Sequence, residues 1–109
     1  MRLQPLVGRL TSLWTRGLQH KATAMDRVMA VIEFDLEGRI LDANHNFLAL
    51  MGYRLEDVVG KHHRMFVHPS ERESDGYRQF WDTLRRGDFH AGRYCRLGNG
   101  EREVWINAS

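Results

Sequence analysis

Between Leu41 and Tyr53 the hydrophobic pattern changes from strand-like to helical, and this change limits the available folds more than any other feature of the chain. Before it, Ala30-Val31-Ile32-Glu33-Phe34-Asp35 and Arg39-Ile40-Leu41 read as two short strands joined by a turn at Glu37-Gly38. Within it, Asn44 is placed to cap a helix whose apolar face is Phe47, Leu48 and Met51, and Gly52 can take the left-handed conformation that ends it. So short a helix is not stable by itself. It must pack on the sheet that its flanking strands build.

The remaining elements follow in order. Arg54 to Gly60 reads as one helical turn closed by glycine, and His62-His63-Arg64-Met65-Phe66 as a second. Val67-His68-Pro69-Ser70 breaks the chain, and Ser70 with Glu73 forms a capping-box pattern that predicts a helix running to about Arg86. Tyr77, Phe80, Trp81 and Leu84 share one stripe of it, and Gly87 ends it. Phe89 to Leu97 reads as a strand, Gly98-Asn99-Gly100-Glu101 as a hairpin turn, and Glu103 to Ala108 as the partner strand. In that last strand Val104, Ile106 and Ala108 share one face, with Trp105 and Asn107 on the other.

The N-terminal segment carries its own pattern. Leu3, Leu6, Val7, Leu10, Leu13, Trp14 and Leu18 recur at three- and four-residue steps, which predicts an amphipathic helix. Pro5 suits its first turn, whereas Gly8 and Gly17 weaken it, so it needs a partner surface. It reads as cover for its own domain's sheet or as a dimerisation or signal-carrying helix, and the two are not exclusive. His20 to Ala24 reads as a connector, dividing the chain into residues 1–24, helix and connector, and 25–109, the domain proper.

Composition and spacing narrow the function. With 109 residues and 42% hydrophobic content the chain supports one core. Its 16 basic and 14 acidic residues are interspersed, so nothing points to nucleic acid. No stretch is long and apolar enough to span a bilayer. Cys95 is the only cysteine, which rules out an intrachain disulfide and fits the cytoplasm. His62, His63 and His68 suggest a metal, but adjacent helical residues point about 100° apart and no cysteine cluster or His-Glu-x-x-His pair completes a shell. Ser70 and Ser74 occupy capping or helix positions with no base beside them, and Gly98-x-Gly100 is a turn rather than a phosphate loop. The chain is expected not to be an enzyme.

The ordered set of Asp42-Ala43-Asn44-x-x-Phe47, Gly52-Tyr53, Leu55-Glu56-Asp57-x-x-Gly60, a longer helix and the Val104-Trp105-Ile106 strand resembles a PAS sensor domain over roughly Val28 to Ser109. The resemblance implies an α+β fold in which an antiparallel sheet carries short helices over one face. It also implies a closing strand beyond Ser109, whose place is expected to be open here or covered by another segment or a second copy. From Gly52 to Ser109 the chain is most similar to PAS domains of bacterial chemotaxis receptors, including aerotaxis receptors that hold FAD. That likeness implies a cofactor-binding region containing Asn44, His63, His68, Trp81 and His90, with FAD as the first candidate and haem, with His68 or His90 as nominal ligand, as the second. The aerotaxis pattern has an arginine where this chain has Val67, an aspartate at Ser70 and a tryptophan at His90. The expected function is a sensory module of a chemotaxis receptor that binds a small ligand and relays a change through helix or homodimer rearrangement. The alternative is a ligand-free dimerisation module of a histidine kinase or cyclic-dinucleotide enzyme.

Overall fold

Alternation at Ala30, Ile32 and Phe34 buries one side of the strand Ala30–Asp35, and the sheet grows outward from this strand. In the computed structural model, residues 29–88 and 92–108 are described in full and two N-terminal strands by their backbone. The strands are β1 (Arg2–Leu3), β2 (Arg9–Arg16), β3 (Ala30–Asp35), β4 (Ile40–Ala43), β5 (Gly92–Leu97) and β6 (Glu103–Ala108). They form one antiparallel sheet in the order β4-β3-β2-β6-β5, with β1 beside β2. Three helices, α1 (His45–Met51), α2 (Leu55–Val58) and α3 (Asp75–Arg85), and two 3-10 turns, His63–Phe66 and Pro69–Glu71, connect the halves. The sheet with short helices is the expected α+β architecture.

The turn between β3 and β4 is held by the Asp35 carboxylate, which accepts from the amides of Glu37 and Arg39. Gly38 sits there at φ +86, and an added Cβ would lie 2.6 Å from Nε2 of His62. The outer edge of β4 is not left bare. Ile40 donates to the Lys61 carbonyl, Gly60 to that of Ile40, and His63 to that of Gly38, so the loop before the 3-10 turn closes the edge.

Two expectations required correction. Within the expected N-terminal amphipathic helix, Arg9–Arg16 is instead strand β2, pairing with β3 from Arg9↔Asp35 to Trp14↔Ala30 and with β6 from Trp14↔Ala108 to Arg16↔Ile106. β3 and β6 present facing edges of unpaired amides and carbonyls, and one segment between them satisfies both, which outweighs a weak helical period bounded by Gly8 and Gly17. β2 thus occupies the place left for a closing strand. The second correction concerns α3. Its cap is Ser74, whose hydroxyl accepts from the Tyr77 amide, whereas Ser70 lies in the 3-10 turn behind Pro69. The expected connector at 20–24 lies outside the described residues, as does the start of the strand expected from Phe89.

Under the helices the core is continuous: Ile32, Phe34, Ile40, Phe47, Met51, Val58, Phe66, Leu84 and Ile106 are all essentially inaccessible. Val104 and Ile106 face it, while Trp105 on the opposite face is 52% exposed with the Arg93 guanidinium 5.9 Å from its ring centre.

Candidate functional site

Because β5 and β6 form a regular ladder, residues in register with buried ones point the same way. Tyr94 pairs with Ile106 and Arg96 with Val104, which sends both side chains under the helices. Arg96 is only 4% exposed. Its guanidinium lies 4.6 Å over the Tyr94 ring, and Nη1 donates to its neighbour's carbonyl, that of Cys95, at 3.4 Å. Nε is buried without a hydrogen-bond partner. Burial pulls the Arg96 pKa below its usual range.

Opposite stands His63, carried inward by the 3-10 turn after His62 caps it by accepting from the Arg64 amide. Its ring stacks on Tyr77 and Phe80, at 5.9 and 5.7 Å, and meets the edges of Phe34 and Trp81, both at 5.5 Å. Nδ1 is 2.9 Å from the Tyr77 hydroxyl. Burial, with Arg96 and His62 adding repulsion, holds the imidazole pKa well below its ordinary value, so the ring is neutral at pH 7. Burial also raises the Tyr77 hydroxyl, a push that the Trp81 indole partly opposes.

Between α3 and β5 lies a cleft of about 390 Å³ walled by Tyr77, Phe80, Thr83, Tyr94 and Arg96, with Glu71 at the exposed rim. Outside α3 a second cleft, about 280 Å³, is lined by His62, Arg64, Arg72, Arg78 and Arg85 beside Trp81. Those arginines are largely committed: Arg72 Nε donates to the Arg64 and Val67 carbonyls, Arg78 pairs with Asp75, and Arg85 donates to the Leu36 carbonyl. A third cleft, about 250 Å³, lies beside His68, Leu97 and Glu103.

This arrangement agrees with what the chain is related to. Residues 40–109 match the family described as the PAS fold. The chain belongs to that family. Among its relatives, the "Biofilm dispersion protein BdlA" of Pseudomonas aeruginosa is 45% identical over 86 residues, which is 79% of this chain and 21% of the relative. The "Aerotaxis receptor" of Escherichia coli is 28% identical over 75 residues, 69% of this chain and 15% of the relative. The chain therefore spans about a fifth or less of either protein. It is a PAS domain similar to those of chemotaxis-related receptors.

The PAS domain distributes the expected cofactor residues unevenly. His63 and Trp81 are together in the aromatic cage. Asn44 is elsewhere: Oδ1 accepts from the amides of Phe47 and Val31, and Nδ2 donates to the Met29 carbonyl. His68 is exposed, its Nδ1 engaged by Ser70. His90 lies outside the described residues. No one of these three clefts gathers Asn44, His68 and Trp81, and the Asn44 amide bonds inside the fold through both Oδ1 and Nδ2. Nor do His, Cys, Asp and Glu among the described residues cluster in a way that could hold a metal ion. The Cys95 thiol is pushed up by burial and by Glu103, which disfavours the reactive thiolate.

Arg96, Tyr94 and Tyr77 are the site residues that sequence reasoning missed. The signal was present. Once the hairpin at Gly98 to Glu101 sets the register, Arg96 falls opposite Val104, and an arginine sharing a face with Val104 and Ile106 is anomalous.

Proposed function

We propose that this PAS domain is the ligand-sensing part of a chemotaxis-type receptor, with the cleft between α3 and β5 as its sensory pocket. The observation that carries the reading is the cleft itself: about 390 Å³, walled by Tyr77, Phe80 and Tyr94, with the buried Arg96 in its lining. Its occupant changes how α3 rests on β5, and the parent protein relays that change to taxis or biofilm dispersal through a helix or homodimer rearrangement. The domain works in the cytoplasm and is not catalytic. Its relatives carry the names of a receptor and a dispersion protein, and among its described residues no helix is long and apolar enough to cross a membrane.

Mass spectrometry of small molecules that co-purify with the chain tests the proposal, together with Thr83→Trp, which fills the cleft from α3. A ligand bound by the native chain and absent from Thr83→Trp is expected. Equal recovery from both would place the ligand elsewhere.

The exposed Trp105 beside Arg93 favours a second reading, in which the outer sheet face is an association surface. Light scattering of Trp105→Glu checks it: a smaller mass than the native chain is expected, and an unchanged mass removes this reading.

A further inference from the structure

We infer that the ligand of this cleft is a small monoanion, a carboxylate on a planar apolar body, and that Arg96 receives its charge. The inference rests on the reading of the α3–β5 cleft as the sensory pocket.

The argument starts from the guanidinium. A buried charge without a counter-charge is among the costliest arrangements a fold can contain, and native cores pair such groups. Arg96 is 4% exposed, yet among the described residues no carboxylate reaches it within ion-pair distance, and Glu71 at the rim acts on it only through space. The arginines of the neighbouring cleft show what a structurally committed guanidinium looks like here, since Arg72 and Arg85 spend Nε on backbone carbonyls. Arg96 Nε has none. Its one hydrogen bond leaves through Nη1 and Nε is sealed inside, so the part of the guanidinium that lines the cleft is what remains for an acceptor. A guanidinium suits a carboxylate, to which it gives charge-assisted N–H bonds.

Shape and rim complete the description. The guanidinium sits 4.6 Å over the Tyr94 ring, and Tyr77 and Phe80 line the cleft beside it with aromatic surface for an apolar body. At about 390 Å³ the cleft suits a single ring with its acid group rather than a dinucleotide. Glu71 at the mouth opposes a doubly charged ligand more than a singly charged one, which favours a monoanion over a phosphate dianion. His63 is neutral and does not compete for the acid.

The test uses the full chain with benzoate, the neutral isostere benzamide and the dianion phenyl phosphate, read by isothermal titration and by thermal shift. Benzoate is expected to bind at least tenfold more tightly than benzamide. Arg96→Met is expected to abolish that preference while melting no lower than the native chain, because it removes an unpaired charge. Thr83→Trp, which leaves Arg96 in place, is expected to block benzoate, and Glu71→Gln to narrow the gap between benzoate and phenyl phosphate. Equal binding of benzoate and benzamide, both blocked by Thr83→Trp, would overturn the charge assignment and leave the pocket standing. Binding of no probe, or binding indifferent to Thr83→Trp, would overturn both. An Arg96→Met chain that melts well below the native one would make Arg96 a structural residue and overturn the assignment.

Discussion

Two polar side chains, Asn44 and Arg96, lie on the helix side of the same sheet and are used in opposite ways. Every bonding direction of the Asn44 amide that the fold needs is filled: it caps α1 and ties the start of β3 to it through Val31 and Met29. Arg96 is more deeply buried, carries a full charge, and leaves Nε with nothing to bond. One corner stabilises the fold. The other keeps a cost in it, and such unsatisfied groups gather where a protein binds something.

Substitution at the satisfied corner carries the largest expected effect. Asn44→Ala removes the cap and orphans two backbone groups, and is expected to cost about 3 kcal/mol, read as a lower denaturation midpoint. A loss close to that of an ordinary surface cap would mean that the bonds to Val31 and Met29 contribute nothing, and the contrast would shrink to one of burial.

Gly38→Ala sharpens the comparison from between the corners, where the β3–β4 turn rests on His62 and Trp81. Positive φ and a Cβ at 2.6 Å from the imidazole of His62 together should cost about 2 kcal/mol. If ligand binding weakens as well, the aromatic cage depends on that turn.

His63 gives a pH signature of the unsatisfied corner. Its folded pKa is lowered well below 6.5, so below that pH the unfolded chain binds a proton that the folded chain refuses. Stability is therefore complete above about pH 6.5 and falls as pH drops, by up to about 1.4 kcal/mol per unit, until the folded pKa is reached. Denaturation from pH 7.5 to 5 should show this slope, and His63→Phe should flatten it. An equal slope in the variant would assign the acid sensitivity to other groups.

Much of this structure was legible in the sequence because its determinants are local. The Asn44 cap, the Gly52 stop and the Tyr77, Phe80, Trp81 and Leu84 stripe each depend on residues within a turn or two, and each is present. Ser70 reads as the α3 cap because its pattern with Glu73 is that of a true cap, but Pro69 draws it into the preceding turn and leaves Ser74 the task. Strand β2 was not legible because its pairing depends on two edges distant in sequence, which no hydrophobic period encodes. The same holds for the site: Arg96 shares the core face only through its pairing with Val104, and the cleft exists only once α3 lies against β5.

The smallest stability effect accompanies the sharpest functional one, and a single experiment contains both. Melting of the native chain, Asn44→Ala and Arg96→Met should be followed with and without benzoate. Asn44→Ala should melt lower and keep the ligand-induced rise, whereas Arg96→Met should match or exceed the native melting point, by about 1 kcal/mol at most, and lose the rise. If Asn44→Ala loses the rise instead, or Arg96→Met melts lower and keeps it, the roles given to the two corners are reversed and the account fails.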